Sequence, residues 1–393
     1  MISYKDLKNY IKSDFFLQAD RVHLKSNKAP SISFVIICKD EERCISRCLD
    51  SIVDIASEVI VIDTGSLDGT LEIVCKYEGV NVFKYSWNDN FADARNFGIT
   101  KVKSDWIFFI DADEWLLDDE YLIELLDYVG SYRLSNESTF SPKIKSDDAS
   151  VTWSNGRLFK KSANIKYRGR VHEEPCLANG SMPYNVPIDI SVRHDGYVSS
   201  IVRQKEKYKR NLILLEKSLI DEPDDLRWRF FLLRDKFIQC SISEVNLIKD
   251  GMMNLMDEIY NYDEDSFSIG YFRELYKYIM MIMYSQREFR DMKDLSSKYK
   301  DVLCETSDYF YYVSISEIEM FSDSYRSYIS NKLDMAIAVR ENVDTADNYS
   351  LSMDGYHIDE VIYLCLKQLD CNDLCEKYRV NIVNNYSNRM IVS

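Results

Sequence analysis

Apolar and polar positions fall into two regimes that meet near residue 200. From Ser31 onward, short apolar runs alternate with helical stripes. SISFVIIC (Ser31–Cys38) is apolar with almost no break, the pattern of a strand buried on both faces. EERCISRCLDSIV follows, with Ile45, Cys48, Leu49 and Ile52 on one helical stripe. EVIVID (Glu58–Asp63) predicts a second strand, TGSLDGT a turn, Thr70–Tyr77 a short helix and VNVFKY (Val80–Tyr85) a third strand. Asn90-Phe-Ala-Asp93 has the form of a capping box that opens a helix to about Lys101. WIFFID (Trp106–Asp111) predicts a fourth strand, and a helix is expected over Leu116–Val129. Such alternation predicts an α/β fold, a mostly parallel sheet with helices on both faces. Ligands of these sheets bind beyond the carboxyl ends of the strands, here Cys38–Asp40, Asp63 and Asp111.

Between about Ser131 and Tyr197 short β-like pieces carry most of the prolines, together with Gly156, Gly169, Gly180 and Gly196, which predicts a mixed sheet flanking the same site. After about Arg203 Gly and Pro nearly vanish and helix-period segments run to the end, LRWRFFLLRDKFIQ and YFRELYKYIMMIMY among them. Pro223 marks a turn between two of these segments, as in stacked helix-turn-helix repeats. The expected division is a helical extension over 1–30, with Tyr4, Leu7, Tyr10 and Ile11 at helical spacing, an α/β domain over 31–202 and a helical domain over 203–393.

The net charge, 49 − 65 = −16 over 393 residues, argues against nucleic acid or an anionic membrane surface as a general partner. No stretch approaches the ~20 apolar residues of a membrane span, and the first residues lack a signal-peptide layout. Ten cysteines without a CxxC pair, two pairs of them four residues apart, read as reduced, mostly buried thiols of a cytoplasmic protein.

Three carboxylates, Asp111, Asp113 and Glu114, crowd the end of the fourth apolar run. Like charges that close are costly unless a cation lies among them. The spacing lets Asp111 and Asp113 reach one divalent ion, Mg²⁺ or Mn²⁺, whose remaining ligands would be water and phosphate oxygens. An acidic helix start is the plainer reading of the same residues. Asp63, at the end of the second strand, can accept from a base imide or a ribose hydroxyl, and a well-made Asp68-Gly69 turn explains the same stretch without a ligand. Arg95 and Asn96 sit near a helix start, where they could meet phosphate or base. Asp263-Glu264-Asp265 repeats the acidic spacing in the helical half and reads as a solvated turn.

CKDEE (Cys38–Glu42), VIDTGSLDGT (Val61–Thr70), ARN (Ala94–Asn96) and IDADE (Ile110–Glu114) together resemble the family 2 glycosyltransferases of GT-A fold, in order and spacing. The resemblance implies nucleotide-sugar contacts from Cys38, Lys39, Glu41, Asp63, Ser66, Arg95, Asn96, Asp111, Ala112 and Gly169. It implies a metal held by Asp113 and a late histidine, His194, and an acidic general base at Glu173 or Glu174, with Glu173 favoured. RVHEEP, RHDGY and the helical tail resemble, more narrowly, the sublancin-type peptide S-glycosyltransferases of bacteria. That resemblance implies an inverting transfer of a hexose, glucose being expected, from a UDP-sugar to Cys or Ser of a bacteriocin precursor, by a homodimer with a tetratricopeptide-like helical domain. The alternative is a glucosyltransferase acting on a cell-surface polysaccharide or a lipid-linked sugar.

Overall fold

The structure, a computed structural model, describes residues 29–117, 121–145, 151–154, 156–194, 201–261, 266–320, 326–342 and 355–385. The expected N-terminal helix and the acidic triplet at 263–265 therefore lie outside the described residues. The chain divides into two compact units, one ending at Asp221 and one beginning at Glu222.

The first unit is built on a nine-stranded sheet in the order β3-β2-β1-β4-β8-β6-β11-β5, with β7 paired to β6. β1 (Ile32–Cys38), β2 (Glu58–Asp63), β3 (Val80–Lys84) and β4 (Trp106–Phe109) are mutually parallel, so their carboxyl ends share one edge. Their side chains alternate between two cores. Phe34, Ile36 and Phe108 face one, while Val35, Ile107 and Phe109 face the other, which is why these runs read as apolar throughout. The first core is covered by α1 (Ile45–Asp50), α2 (Thr70–Val74) and α4 (Leu122–Gly130). The second is covered by α3 (Phe91–Lys101). Gly98 lets α3 lie close to the sheet, because a Cβ there would stand 2.9 Å from Val35 Cγ1. Asn90 caps α3 as expected, its side chain accepting from the Asp93 N–H at 3.1 Å.

The mixed half is β5 (Glu114–Leu116), β6 (Ser138–Lys145), β7 (Val151–Trp153), β8 (Leu158–Lys160) and β11 (Tyr184–His194), plus the hairpin of β9 (Lys166–Arg168) and β10 (Glu174–Cys176). β8 runs antiparallel to β4 and β11 antiparallel to β5. The acidic stretch is thus a turn that leads into strand β5 at Glu114, and helix α4 starts only at Leu122. That rules out the helix-start reading of the three carboxylates. Helix α5 (Ile201–Asp221) belongs to the first unit, whereas the sequence pattern had opened the helical domain at 203.

The second unit is all helical among its described residues. In order it runs α6 (Leu226–Gln239), α7 (Val245–Asn261), α8 (Ser266–Ser285), α9 (Phe289–Lys298), α10 (Lys300–Leu303), α11 (Ser307–Met320), α12 (Arg326–Asn342), α13 (Tyr356–Gln368) and α14 (Asn372–Asn385). Most helices pack on their sequence neighbours, and α11 also packs on α13. Met252, Leu275, Ile279, Ile315 and Val361 are fully buried, and Tyr276, Tyr299 and Tyr312 fill the same core. Among the described residues no helix is long and apolar enough to cross a membrane.

Candidate active site

The carboxylate cluster already contains its counter-cations. Arg157 donates to Asp111 Oδ2 at 2.9 Å and to Glu114 Oε2 at 2.6 Å, and Glu114 Oε2 also accepts the Asp111 N–H at 3.0 Å. Arg95 reaches Asp111 Oδ1 at 3.6 Å with one nitrogen and Glu173 Oε1 at 2.7 Å with another. Its guanidinium lies over Phe109 and Tyr167, 5.0 and 5.3 Å from the ring centroids. Glu114 is only 2% exposed, and burial, partly offset by Arg157, raises its carboxyl above the usual range. Burial acts on Asp111 in the same sense, but Arg157 and Arg95 outweigh it and hold that carboxyl low. Both arginines are held firmly protonated by these carboxylates against the opposing effect of burial.

Topology explains the meeting. Arg157 precedes β8, and its carbonyl accepts the Phe109 N–H at 2.9 Å, so it is level with the carboxyl end of β4. The preceding Gly156 is left-handed (φ 54°), and a Cβ there would sit 2.5 Å from Thr139 Oγ1, so this approach requires glycine. Arg157 is the residue that sequence reasoning missed. Its neighbours SNGRLFK read only as a turn before a strand, and nothing local marks it as the partner of residues 43 to 46 positions earlier.

Glu173 and Glu174 diverge. Glu173 faces Arg95, while Glu174 pairs with Arg168 at 2.7 Å across the β9–β10 hairpin. Asn96 holds that hairpin in place. Its amide donates to the Tyr167 carbonyl and accepts the Tyr167 N–H, both at 2.8 Å. Gly169 takes a left-handed conformation (φ 99°) in the loop between β9 and Glu173, as does His172 (φ 51°).

The rim formed by β1 and β2 is separate. Asp63 is buried, and its Oδ1 accepts the Ser66 N–H at 2.9 Å; Ser66 Oγ accepts the Asp40 N–H at 3.1 Å. Glu41 donates its N–H to Thr70 Oγ1 at 2.7 Å and accepts the Cys44 thiol at 3.2 Å. Cys38 is buried under this rim, whereas Lys39 is exposed. β1 lies between β2 and β4, so Asp63 and the Asp111 turn are two strand spacings apart, about 10 Å. Ala112 is buried between its two aspartates.

Asp113 and His194 come together on the far side of the turn. β11 places His194 opposite Glu114, and His194 Nε2 stands 3.4 Å from Asp113 Oδ2. The hydrogen bond to Asp113 raises the imidazole, against burial. A carboxylate oxygen and an imidazole nitrogen at this separation suit a divalent cation that takes its other ligands from phosphate and water. Among the described residues no group of three or more His, Cys, Asp and Glu side chains forms a ready metal cage. Asp111 is engaged by two arginines, and its charge also acts on His194. A cavity of about 810 Å³, lined by Ser31, Lys103, Asp105, Trp106 and Lys160, opens at the opposite, amino ends of β1 and β4, away from all of these groups.

Residues 33–189 match the family model described as Glycosyl transferase family 2. The chain is 33% identical over 213 residues to the SPbeta prophage-derived glycosyltransferase SunS of Bacillus subtilis, covering 54% of this chain and 50% of that protein. It is 31% identical over 205 residues to a TPR repeat-containing protein of Synechococcus elongatus, 49% of each chain. Over 151 residues it is 28% identical to the poly-beta-1,6-N-acetyl-D-glucosamine synthase of Staphylococcus epidermidis, 35% of this chain and 37% of that protein. The chain thus spans about half the length, or less, of these curated relatives. With that match laid over a parallel sheet whose strand ends carry Asp63, Asp111 and Asp113, residues 33–189 of the α/β unit are similar to glycosyl transferase family 2, and the chain is similar to SunS over about half of its length.

Proposed function

We propose that this chain is an inverting glycosyltransferase that moves a hexose, glucose being expected, from a UDP-sugar to a cysteine or serine of a bacteriocin-type precursor peptide. The observation that carries the reading is Arg95, which ties the candidate base Glu173 to the Asp111 turn at the strand ends. Asp63 has one oxygen engaged by Ser66 and the other available to a base imide or a ribose hydroxyl. Lys39, Glu41 and Gly169 would complete the donor contacts, with Asn96 holding the hairpin. Asp113 and His194 would hold Mg²⁺ or Mn²⁺, which when bound neutralises charge on the departing diphosphate. The acceptor sulfur forms a bond to C1 as the C1–O bond to UDP breaks on the opposite face, and the thiol proton passes to Glu173. A thiol with a pKa near ~8.5 needs only a modest base. Similarity to SunS supports the peptide acceptor, and action as a cytoplasmic homodimer joined through the helical unit belongs to the same reading.

UDP release and peptide mass, measured with a panel of UDP-sugars and Cys- or Ser-containing peptides, test it. Glu173→Gln and Asp113→Asn should each lower turnover by about 10²-fold or more, while Glu174→Gln should act through folding. Undiminished turnover in the first two would end the assignment. Similarity to the poly-N-acetylglucosamine synthase favours a second reading, a saccharide acceptor, which sugar oligomers in the same panel would reveal.

A further inference from the structure

Helix α5 contrasts with the charge of the whole chain. Its first half carries Arg203, Lys205, Lys207, Lys209 and Arg210 against Glu206 alone, in a protein of net charge −16. Lys207 and Arg210 are three residues apart, on one side of the helix. The second half of α5 is anchored to the α/β unit. Lys217 pairs with Asp89 at 2.5 Å, Asp221 pairs with Arg170 at 2.6 Å, and Leu214, Leu215 and Ser218 are buried. Arg210 is therefore fixed at the rim of the site. Its guanidinium lies 4.9 Å from the Phe91 ring centroid. Although the residue is exposed, its packing against the rim desolvates the guanidinium and lowers its proton affinity, which the nearby Glu173 carboxylate supports.

These cations differ from the others of the site. Arg95 and Arg157 are engaged by carboxylates, and Lys217 by Asp89. Lys207, Lys209 and Arg210 are exposed, and among the described residues none is ion-paired; Arg210 donates only to the Asn211 side chain at 3.2 Å. Unpaired cations beside a base are unfavourable for a cationic acceptor and favourable for an anionic one. An acidic acceptor would be repelled by most of this protein, so a local positive strip would both attract and orient it.

Resting on the peptide-acceptor reading above, we infer that the exposed face of α5 around Lys207 and Arg210 docks acidic residues flanking the accepting residue of the peptide and so selects among acceptors. A membrane fits less well, since Leu214 and Leu215 are packed inward and, among the described side chains of α5, Ile213 and Ile220 are the only exposed large apolar groups.

The test uses the full chain and three nonapeptides with a central cysteine flanked by two aspartates, two asparagines or two lysines. For the wild type, KM should rank aspartate below asparagine below lysine, with kcat little changed. In Lys207→Glu/Arg210→Glu the aspartate peptide should lose about 10-fold in KM and the lysine peptide should gain, as exposed charge pairs replaced by like charges imply. Acceptor-independent UDP release should be unaffected in Lys207→Glu alone, and 0.5 M salt should erase the ranking. Equal KM for all three peptides, or equal losses on all three in the variant, would overturn the inference and leave the peptide acceptor standing. No modification of any peptide, with UDP release intact, would instead overturn the acceptor class and this inference with it. Loss of UDP release in Lys207→Glu would place the strip on the donor, and variant-sensitive sedimentation with phosphatidylglycerol vesicles would place it on a membrane; either result overturns the proposal.

Discussion

Replacing Arg157 by methionine should unfold the α/β unit at markedly lower temperature, in a way that depends on pH. The guanidinium is the only cation within ion-pair distance of Glu114 among the described residues, and Glu114 is 2% exposed. Removing one partner of a buried pair costs about 3–5 kcal/mol. Asp111 is 38% exposed and keeps Arg95 at 3.6 Å, so solvent screening discounts its share and leaves a total near ~3 kcal/mol. For a unit of this size that corresponds to roughly 6–12 °C in Tm. The sign with pH follows from Glu114. Burial already raises its carboxyl and Arg157 opposes that, so the variant's carboxyl rises further above its unfolded value. The folded variant then holds a proton that the unfolded chain releases. Its deficit is therefore largest at pH 8 and shrinks toward pH 5, by up to about 1.4 kcal/mol per pH unit. Calorimetry from pH 5 to 8, which can resolve the transitions of the two units, measures both effects. Glu114→Gln in the Arg157→Met background should recover much of the loss, because no unpaired charge is then buried while the amide oxygen can still accept the Asp111 N–H. A deficit under about 1 kcal/mol, or one that is flat with pH, would refute the reasoning.

Glu360 in α13 is buried, bonded to the Tyr311 hydroxyl, and its carboxyl is pushed up from 4.5 to about 7 by burial. The helical unit should lose up to ~3 kcal/mol as pH rises through that window, and Glu360→Gln should remove the loss in urea unfolding at pH 5 and pH 8. Asn96→Ala should destabilise the α/β unit by about 2 kcal/mol through the two lost Tyr167 bonds and raise amide exchange at Tyr167, while Phe91–Ala94 exchange as before. Cys38 and Cys44 are both pushed up to about 12, chiefly by burial, so iodoacetamide at pH 8 should modify exposed Cys75 and Cys304 within minutes and reach the other two only on unfolding. Peptide mapping that found Cys38 among the first sites labelled would contradict this.

The strands β1 to β4 and the cap of α3 were legible in the chain because their causes are local. A strand buried on both faces must be apolar at consecutive positions, and a helix start needs an acceptor for its free N–H groups. The acidic residues at the strand ends were legible for a related reason: the parallel order of the strands puts their carboxyl ends on one edge. The partners of those acids were not legible. Ion pairing depends on which strands become neighbours, and the antiparallel placement of β8 beside β4 brings Arg157 to Asp111 and Glu114. The divergence of Glu173 and Glu174 was likewise a matter of tertiary contacts, with Arg95 beside the first and Arg168 beside the second. Sequence alone thus determined which backbone segments become strands and which end of them is polar. Tertiary structure decided which charges neutralise one another, because Coulomb energy depends on distance in space, and separation along the chain does not measure it.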